Sequence, residues 1–199
     1  MKKNIFRMMA MAILAMGMTL ASCTKDDPAT PGNNNNGGNN GGNNGGGNGG
    51  GTTSTIVVNN FNSPMVINSE GSLSIEGNEL MIAAYSGTAL LEAYGGVGIL
   101  STPDASGYDY DKVTYLNEGD QIGASSHFTQ DGSVDLYSEG GYTTWANKTG
   151  YAGITFKKAG QTYYGWVKLK MDAATTTVTI YGYAYEGTAG KTIKAGATK

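Results

Sequence analysis

The chain has 199 residues and a formal net charge of −3, and it is rich in glycine (32 residues) and tyrosine (13 residues). Cys23 is its single cysteine and His127 its single histidine, which excludes an intrachain disulfide, a thiolate zinc site and a site with several histidines. Arg7 is its single arginine and acidic residues outnumber basic ones, so the chain lacks the basic surface that nucleic-acid binding requires. We therefore expect no nucleic-acid partner.

Residues 1–22 have the pattern of an export signal. Residues 1–7 carry positive charge, and residues 8–20 form an apolar stretch that is short for a membrane span. The motif Leu20-Ala21-Ser22-Cys23 follows and resembles the lipobox of bacterial lipoproteins, in which the cysteine thiol is lipidated. The resemblance implies cleavage before Cys23 and a membrane anchor of acyl chains, such as palmitate, on that residue. An ordinary secretory peptide is the alternative.

The residues after the cysteine resemble a second targeting signal. Cys23-Thr24-Lys25-Asp26-Asp27 resembles the surface-export signal of Bacteroidota-type lipoproteins, in which a lysine and two acidic residues follow the cysteine. The resemblance implies an outer-membrane lipoprotein displayed on the cell surface. The alternative is a polar linker without targeting information.

Residues 23–51 are predicted to be the lipidated cysteine and a flexible tether. Residues 31–51 consist of Pro31, 9 Asn and 11 Gly, and they offer no apolar side chain that would offset the entropy of ordering. Residues 52–199 remain as one domain, which is long enough to bury a core without disulfides.

The domain is predicted to be all-β, because no segment keeps an apolar period of 3.6 residues and short β-rich runs alternate with Gly, Asn, Asp and Ser. Many short strands at this spacing favour an antiparallel β-sandwich or a jelly roll. In chain order the predicted strands are residues 53–59, 65–68, 72–76, 80–85, 89–94, 113–116, 121–128, 133–137, 150–157, 163–171, 175–185 and 192–194.

The last long strands carry the candidate ligand-binding residues. Alternation predicts that Val167, Leu169 and Met171 face the core, and pairing Val167 with Ile180 sets the register of the hairpin. One outer face then collects five aromatic side chains that suit stacking against sugar rings, namely Tyr164, Trp166, Tyr181, Tyr183 and Tyr185. The alternative is that these rings pack under another strand or a long loop.

The same segments resemble a group of uncharacterised secreted bacterial β-domain proteins. The matching pieces are Tyr163-Tyr164-Gly165-Trp166-Val167, then Tyr183-Ala184-Tyr185-Glu186, then Ile193-Lys194-Ala195-Gly196. They correspond to a YGWV…AYE…AG signature, although Tyr163 stands where that group has histidine. The resemblance implies an extracellular β-domain and transfers no activity.

Two further chemistries are weighed. Asp104, Asp109 and Asp111 are a candidate Ca²⁺ site, because calcium prefers oxygen ligands, and a solvated loop is the alternative. A Ser-His-Asp triad requires His127, which lies in an apolar run that is typical of a packed histidine. A glycosidase requires two carboxylates at a set separation, and no pair stands out, since Asp131 and Asp135 equally suit a hairpin turn.

The sequence therefore predicts a surface lipoprotein that is not an enzyme, has no catalytic residue and binds an extracellular glycan or another cell-surface ligand. The first alternative is a structural or adhesive coat component, because the eight lysines from Lys148 onward follow an acidic middle region and allow head-to-tail association. The second is a glycoside hydrolase-like enzyme. No cofactor is expected apart from the candidate Ca²⁺, and the sequence leaves the oligomeric state open.

Overall fold

A computed structural model describes residues 55–105 and 110–199, and these residues belong to one compact unit, Gly49–Lys199. The predicted signal peptide, the predicted lipidation site Cys23, the predicted tether and the candidate calcium ligand Asp109 lie outside the described residues. Within them the chain is all-β, without a helix, which confirms the predicted class. The described part of the chain accordingly holds no helix that is long and apolar enough to span a membrane.

Thirteen strands follow one another along the described residues. In chain order they are β1 (Ile56–Ile67), β2 (Glu70–Ile75), β3 (Asn78–Tyr85), β4 (Thr88–Ala93), β5 (Gly98–Thr102), β6 (Lys112–Val113), β7 (Gln121–Ile122), β8 (Phe128–Thr129), β9 (Gly132–Ser138), β10 (Thr149–Lys158), β11 (Gln161–Asp172), β12 (Thr177–Glu186) and β13 (Ile193–Lys194).

Eleven of these strands form one mostly antiparallel sheet that is nearly closed into a barrel. Its order is β1-β12-β11-β10-β5-β6-β9-β4-β3-β2, with β8 paired to β5 beside this path. β7 and β13 form a separate two-stranded sheet. The first two strands in sequence are therefore the two ends of the sheet path.

One hydrophobic cluster fills the inside of the curved sheet. Residues at alternate positions of the strands point into it, as the two-residue period of a strand requires. Val167, Leu169 and Met171 are fully buried there, as predicted, and so are Ile154 and Ile180. Trp145 is the largest fully buried side chain of this core, and its Nε1 donates to the Val113 carbonyl oxygen at 3.0 Å.

A hydrogen-bonded group connects two turns at one end of the sheet. Glu76, in the turn after β2, accepts a hydrogen bond from the Tyr185 hydroxyl at 2.5 Å and pairs with Lys158 Nζ at 2.8 Å. Asn78 Nδ2 donates to the Lys157 carbonyl oxygen at 2.9 Å. These contacts link the β2–β3 turn to the β10–β11 hairpin, which lies far from it along the sheet path.

The register between β11 and β12 differs from the prediction. Val167 lies opposite Tyr183 and not opposite Ile180, and Leu169 lies opposite Ile180, with an irregularity between Lys168 and Leu169. The extra residue reverses the alternation of β12. As a result Val178, Ile180, Tyr183 and Tyr185 all contribute to the inner core, and the prediction that Tyr183 and Tyr185 face outward is wrong.

The outer side of β11 is covered by the small sheet, which we call the clasp and which consists of β7 (Gln121–Ile122) and β13 (Ile193–Lys194). Ile122 and Ile193 lie directly opposite each other in the clasp and are buried. They pack on a second hydrophobic cluster, formed with them by Leu100, Leu116, Tyr164, Trp166, Ala184 and Ala195. The clasp therefore gives the sheet a small second core on its outer face.

Candidate functional site

The five aromatic residues predicted as one ligand-binding face do not share a face. Tyr183 and Tyr185 belong to the inner core, whereas Tyr164 and Trp166 belong to the outer cluster beneath the clasp. All four are buried, with Trp166 exposed by only 3%. Tyr181 is half-buried at the β12 irregularity. The alternative weighed for the sequence, rings that pack under another part of the chain, describes these four side chains.

The rings beneath the clasp are packed against one another. Tyr164 stacks on Phe128 with 5.8 Å between ring centroids, and Trp166 meets Tyr151 edge-on at 5.2 Å. The Trp166 Nε1 atom is buried and has no hydrogen-bond acceptor among the residues that the structure describes. In the conformation observed, these rings are closed to an external ligand.

The candidate calcium residues are only partly covered by the structure, since Asp109 lies outside the described residues. The Asp104 backbone N–H donates to Asp111 Oδ1 at 3.3 Å, and Thr129 Oγ1 donates to Asp111 Oδ2 at 2.7 Å. These hydrogen bonds and the charge of His127 hold the pKa of Asp111 below its ordinary value, against the opposing effect of burial. No group of three metal-ligating side chains forms within the described residues.

The single histidine lies beside a carboxylate and a pair of hydroxyls. His127 Nε2 is 3.7 Å from Asp111 Oδ2, and Thr129 Oγ1 is 2.8 Å from the buried Ser101 Oγ. The chain of contacts therefore runs from Ser101 through Thr129 and Asp111 to His127, so the carboxylate separates the hydroxyls from the imidazole. A Ser-His-Asp triad requires the histidine between the two other groups, and this arrangement has a different order.

Of the two carboxylates considered for a hydrolase, Asp131 and Asp135, the second forms an ion pair. Asp135 is buried, and Lys112 Nζ contacts its Oδ2 atom at 3.1 Å. Asp131 is exposed. The two groups therefore lie in unlike surroundings, with Asp131 directly before β9 and Asp135 in the middle of that strand.

An exposed aromatic surface lies on the outer face of β2, β3 and β4, and we call it the tyrosine face. It is formed by Tyr85, Tyr94, Tyr110, Glu70 and Glu92. The three rings are exposed by 39%, 45% and 50%, and they are the exposed large aromatic side chains of the described residues.

Strand alternation places the tyrosine face on the side away from the core. In β4 the residues Ala89, Leu91 and Ala93 point inward, so Glu92 and the following Tyr94 point outward. In β3 the inward residues are Leu80 and Ile82. Tyr85, at the end of this strand, has the opposite parity and therefore also points outward.

Carboxylates connect the rings of the tyrosine face. The Tyr85 hydroxyl donates to Glu70 Oε1, and this hydrogen bond, together with burial, raises the pKa of Tyr85 to about 12. Burial and the nearby charge of Glu70 raise the pKa of Glu92. Burial and the charges of Glu92 and Asp131 raise the pKa of Tyr94, on which Tyr110 also acts. The groups are therefore close enough to influence each other electrostatically.

The dimensions of the tyrosine face suit an extended ligand. Tyr85 lies opposite Thr88 on β4, and Tyr94 follows six residues later, which corresponds to about 20 Å along a strand. By comparison, the cleft between Ile56, Glu186 and the C-terminal residues encloses about 180 Å³, whereas clefts that bury drug-sized ligands measure roughly 300–1,000 Å³. The open face is therefore the better candidate for recognition.

Sequence reasoning missed the tyrosine face although a signal was present. Both predicted strands, residues 80–85 and 89–94, end in a tyrosine that has the opposite parity to the apolar Leu80, Ile82 and Leu91. Met81 and Leu90 share the parity of the two tyrosines, however, so alternation in the sequence does not by itself assign these rings to the solvent side. Comparison of the chain with protein-family models, with curated proteins and with solved structures found no match.

Proposed function

We propose that the chain is a surface-anchored lipoprotein whose β-domain binds an extracellular glycan through the tyrosine face. The observation that carries the proposal is the set of three exposed tyrosine rings on the outer side of the sheet, with Glu70 bonded to the Tyr85 hydroxyl and Glu92 close enough to act on Tyr94. The buried Trp166 and its neighbours have no part in this proposal.

The chemistry of the face matches that of a sugar chain. A tyrosine ring offers a flat apolar surface with a polar hydroxyl at its end, and the C–H side of a sugar ring packs against such a surface. Carboxylates accept hydrogen bonds from sugar hydroxyls at well-defined positions. A face with rings at both ends and acceptors between them provides both kinds of contact for an oligosaccharide.

The proposed function is binding without catalysis. His127 contacts a carboxylate and is separated from the Ser101 and Thr129 hydroxyls by Asp111. Asp135 is held by Lys112. The imidazole therefore does not contact the Ser101 and Thr129 hydroxyls, and Asp135 is held in an ion pair, which supports binding over hydrolysis.

A coat component is the second candidate, and the distribution of charge favours it. Lys168 and Lys170 lie on β11, whereas Glu79 and Glu92 lie on β3 and β4, at least five strands away along the sheet path. Opposite charges on distant parts of one surface allow copies of the domain to associate head to tail. This association would weaken as salt concentration rises.

The binding proposal is tested with the full chain carrying Cys23→Ser, which removes the lipidation site. The protein is screened on a glycan array, and its affinity for the best oligosaccharide is measured by calorimetry. We expect Tyr94→Ala to weaken binding at least tenfold, or about 1.4 kcal/mol, because a stacked ring is lost.

The matched control is Tyr181→Ala, which removes a half-buried tyrosine of β12, a strand that carries no residue of the tyrosine face. It should leave the affinity unchanged. Equal affinity of the parent and Tyr94→Ala proteins would refute the role of the tyrosine face. If no glycan binds and the protein sediments as a salt-sensitive oligomer, the coat function replaces glycan binding.

The anchor is tested separately in cells. Mass spectrometry of the mature N-terminal peptide should show acyl chains on Cys23, and external protease should remove the domain from intact cells. Replacement of Lys25, Asp26 and Asp27 by alanine should protect the domain from the protease while acylation continues. An unmodified Cys23 in the mature protein would contradict the lipoprotein assignment.

A further inference from the structure

The unsatisfied N–H of Trp166 lies beneath a small covering element. Its ring is 3% exposed, and the atom Nε1 has no acceptor among the residues that the structure describes. A buried donor without an acceptor is unfavourable, because the donor has lost its hydrogen bond to water and gained none in return. The closed arrangement at Trp166 is therefore one that exposure to an acceptor would improve.

The element that closes this site is small. Each strand of the clasp has two residues. Backbone hydrogen bonds beside the clasp join Gly119 N–H to the Ala195 oxygen at 2.9 Å and Ala195 N–H to the Asp120 oxygen at 2.8 Å. Two-stranded ribbons of this size are stable only through the surface on which they pack.

The surface beneath the clasp has the composition of a sugar-binding site. Tyr164 and Trp166 lie at neighbouring outward positions of β11, and Phe128 and Tyr151 border them. Once uncovered, the two rings of β11 offer flat apolar area, and the Trp166 N–H offers a donor for a hydroxyl or ring oxygen. The inner core does not depend on the clasp, because its cluster is formed by other residues.

We propose that the clasp is a movable cover over a second binding surface, formed by Tyr164 and Trp166, which takes a sugar ring when the two strands of the clasp, β7 and β13, separate. The choice of a sugar as ligand rests on the proposed glycan-binding function. The movement of the clasp rests on the geometry of Trp166 alone. The two parts are therefore separated in the test.

The movement is tested by NMR measurement of hydrogen exchange at the two indole N–H groups of the full Cys23→Ser chain. Trp145 is the internal control, because its N–H is fully buried and bonded to Val113. We expect the Trp166 N–H to exchange at least tenfold faster than that of Trp145. Equally slow exchange of both groups would overturn the proposal.

A second experiment uses an engineered disulfide across the clasp, which we call the lock and which can be formed and reduced reversibly. Gln121 and Lys194 are exposed and lie directly opposite each other in the clasp, and the spacing of such antiparallel partners suits a disulfide. In the variant Gln121→Cys/Lys194→Cys, oxidation should slow exchange at Trp166 at least tenfold and leave Trp145 unchanged. Reduction of the same protein should restore the parent rate. An oxidised protein with unchanged Trp166 exchange would show that the clasp does not gate this site.

Binding is then measured with cellohexaose, chitohexaose and mannohexaose in the lock variant, both with Tyr94 intact and with Tyr94→Ala. With Tyr94→Ala, we expect oxidation of the lock to weaken binding of at least one probe at least tenfold relative to the reduced form. Binding that is equal in the oxidised and reduced forms overturns the second surface and leaves the tyrosine face untouched. Binding that responds to the lock but not to Tyr94→Ala overturns the tyrosine face and supports the second surface. If neither form binds any probe, the sugar assignment of this surface is wrong.

Discussion

The two tryptophans of this chain are both buried in aromatic clusters but differ in what their N–H groups contact. Trp145 packs edge-on against Tyr115 at 4.8 Å between centroids and donates a hydrogen bond to Val113. Trp166 packs edge-on against Tyr151, and its N–H has no acceptor among the described residues. Comparing Trp145 with Trp166 therefore separates the contribution of ring packing to the free energy of unfolding from the contribution of the indole hydrogen bond.

Replacing each tryptophan with phenylalanine should give unequal losses of stability. Both changes remove volume from a packed cluster, but Trp145→Phe also removes a satisfied hydrogen bond, whereas Trp166→Phe removes an unsatisfied donor. We expect Trp145→Phe to lower the free energy of unfolding by about 3 kcal/mol and Trp166→Phe by at least ~1 kcal/mol less. Urea denaturation followed by circular dichroism measures both. Equal losses would mean that Trp166 has an acceptor in solution.

At the scale of the element, the irregularity of β12 decides which side chains reach the core. Gly182 lies opposite both Lys168 of β11 and Asn60 of β1. A Cβ atom at this position would overlap the backbone oxygen of Asn59 and come within 3.0 Å of the Asn60 Cα. The close approach of β1 therefore requires a residue without a side chain at position 182.

Gly182→Ala should destabilise the protein more than a substitution that meets no steric obstacle. We expect a loss of about 3 kcal/mol, because the β1 backbone must move. Gly160→Ala is the control: its φ of +76° disfavours alanine, but nothing lies within 4 Å of the new Cβ, so a loss of about 1 kcal/mol is expected. Thermal and chemical denaturation measure both variants. A smaller loss for Gly182→Ala than for Gly160→Ala would contradict the steric argument.

The same element shows how far sequence reasoning reaches. Alternation correctly placed Val167, Leu169 and Met171 in the core, because the period of two is local. It failed for Tyr183 and Tyr185, because the irregularity before them reverses the parity and depends on contact with β1, more than 100 residues away in sequence. A single glycine gives no unambiguous sign of such a bulge.

The burial of the ring predicted as a binding residue, Trp166, was missed for related physical reasons. The burial of Trp166 is produced by Ile122 and Ile193, which meet across 71 positions of sequence in a ribbon of two residues per strand. Neither segment is amphipathic over a length that marks a cover. By contrast, Tyr85 and Tyr94 end their strands with a parity opposite to that of the core residues Leu80, Ile82 and Leu91, which is a local signal. The signal is incomplete, because Met81 and Leu90 share the parity of the tyrosines.

At the scale of the whole molecule, the contacts of Glu76 hold distant parts of the sheet together. The hydrogen bonds from Lys158 and Tyr185 lower the pKa of Glu76 below its ordinary value of 4.5. A lowered pKa means that folding favours the charged form. This contribution to stability is present above the ordinary pKa and is lost as the pH falls through the lowered value.

Glu76→Gln should therefore destabilise the protein at neutral pH and have less effect in acid. We expect a loss of about 1 kcal/mol at pH 7, since solvent reduces the strength of these partly exposed contacts. The difference between the parent and variant proteins should narrow as the pH falls below 4.5. Urea denaturation across this range measures it, with Glu79→Gln as the control for an exposed glutamate on a neighbouring strand. A difference that does not change with pH would exclude the ionic contribution.

The pairing of β1 has a mechanical consequence for the domain under the proposal that a lipid on Cys23 anchors it by its N-terminal end. The Gly187 N–H bonds to the Thr55 oxygen at 2.7 Å, and β1 then pairs with β12 in two stretches, Ile56 to Asn60 and Met65 to Ile67. A force applied at Thr55 acts on the first paired stretch before the second. The residues between the two stretches, 61–64, have no partner on β12 and can extend once the first stretch has separated. Under an applied force, β1 would separate from β12 in two steps. The extension gained in the first step would lower the force on the second stretch before the core is exposed.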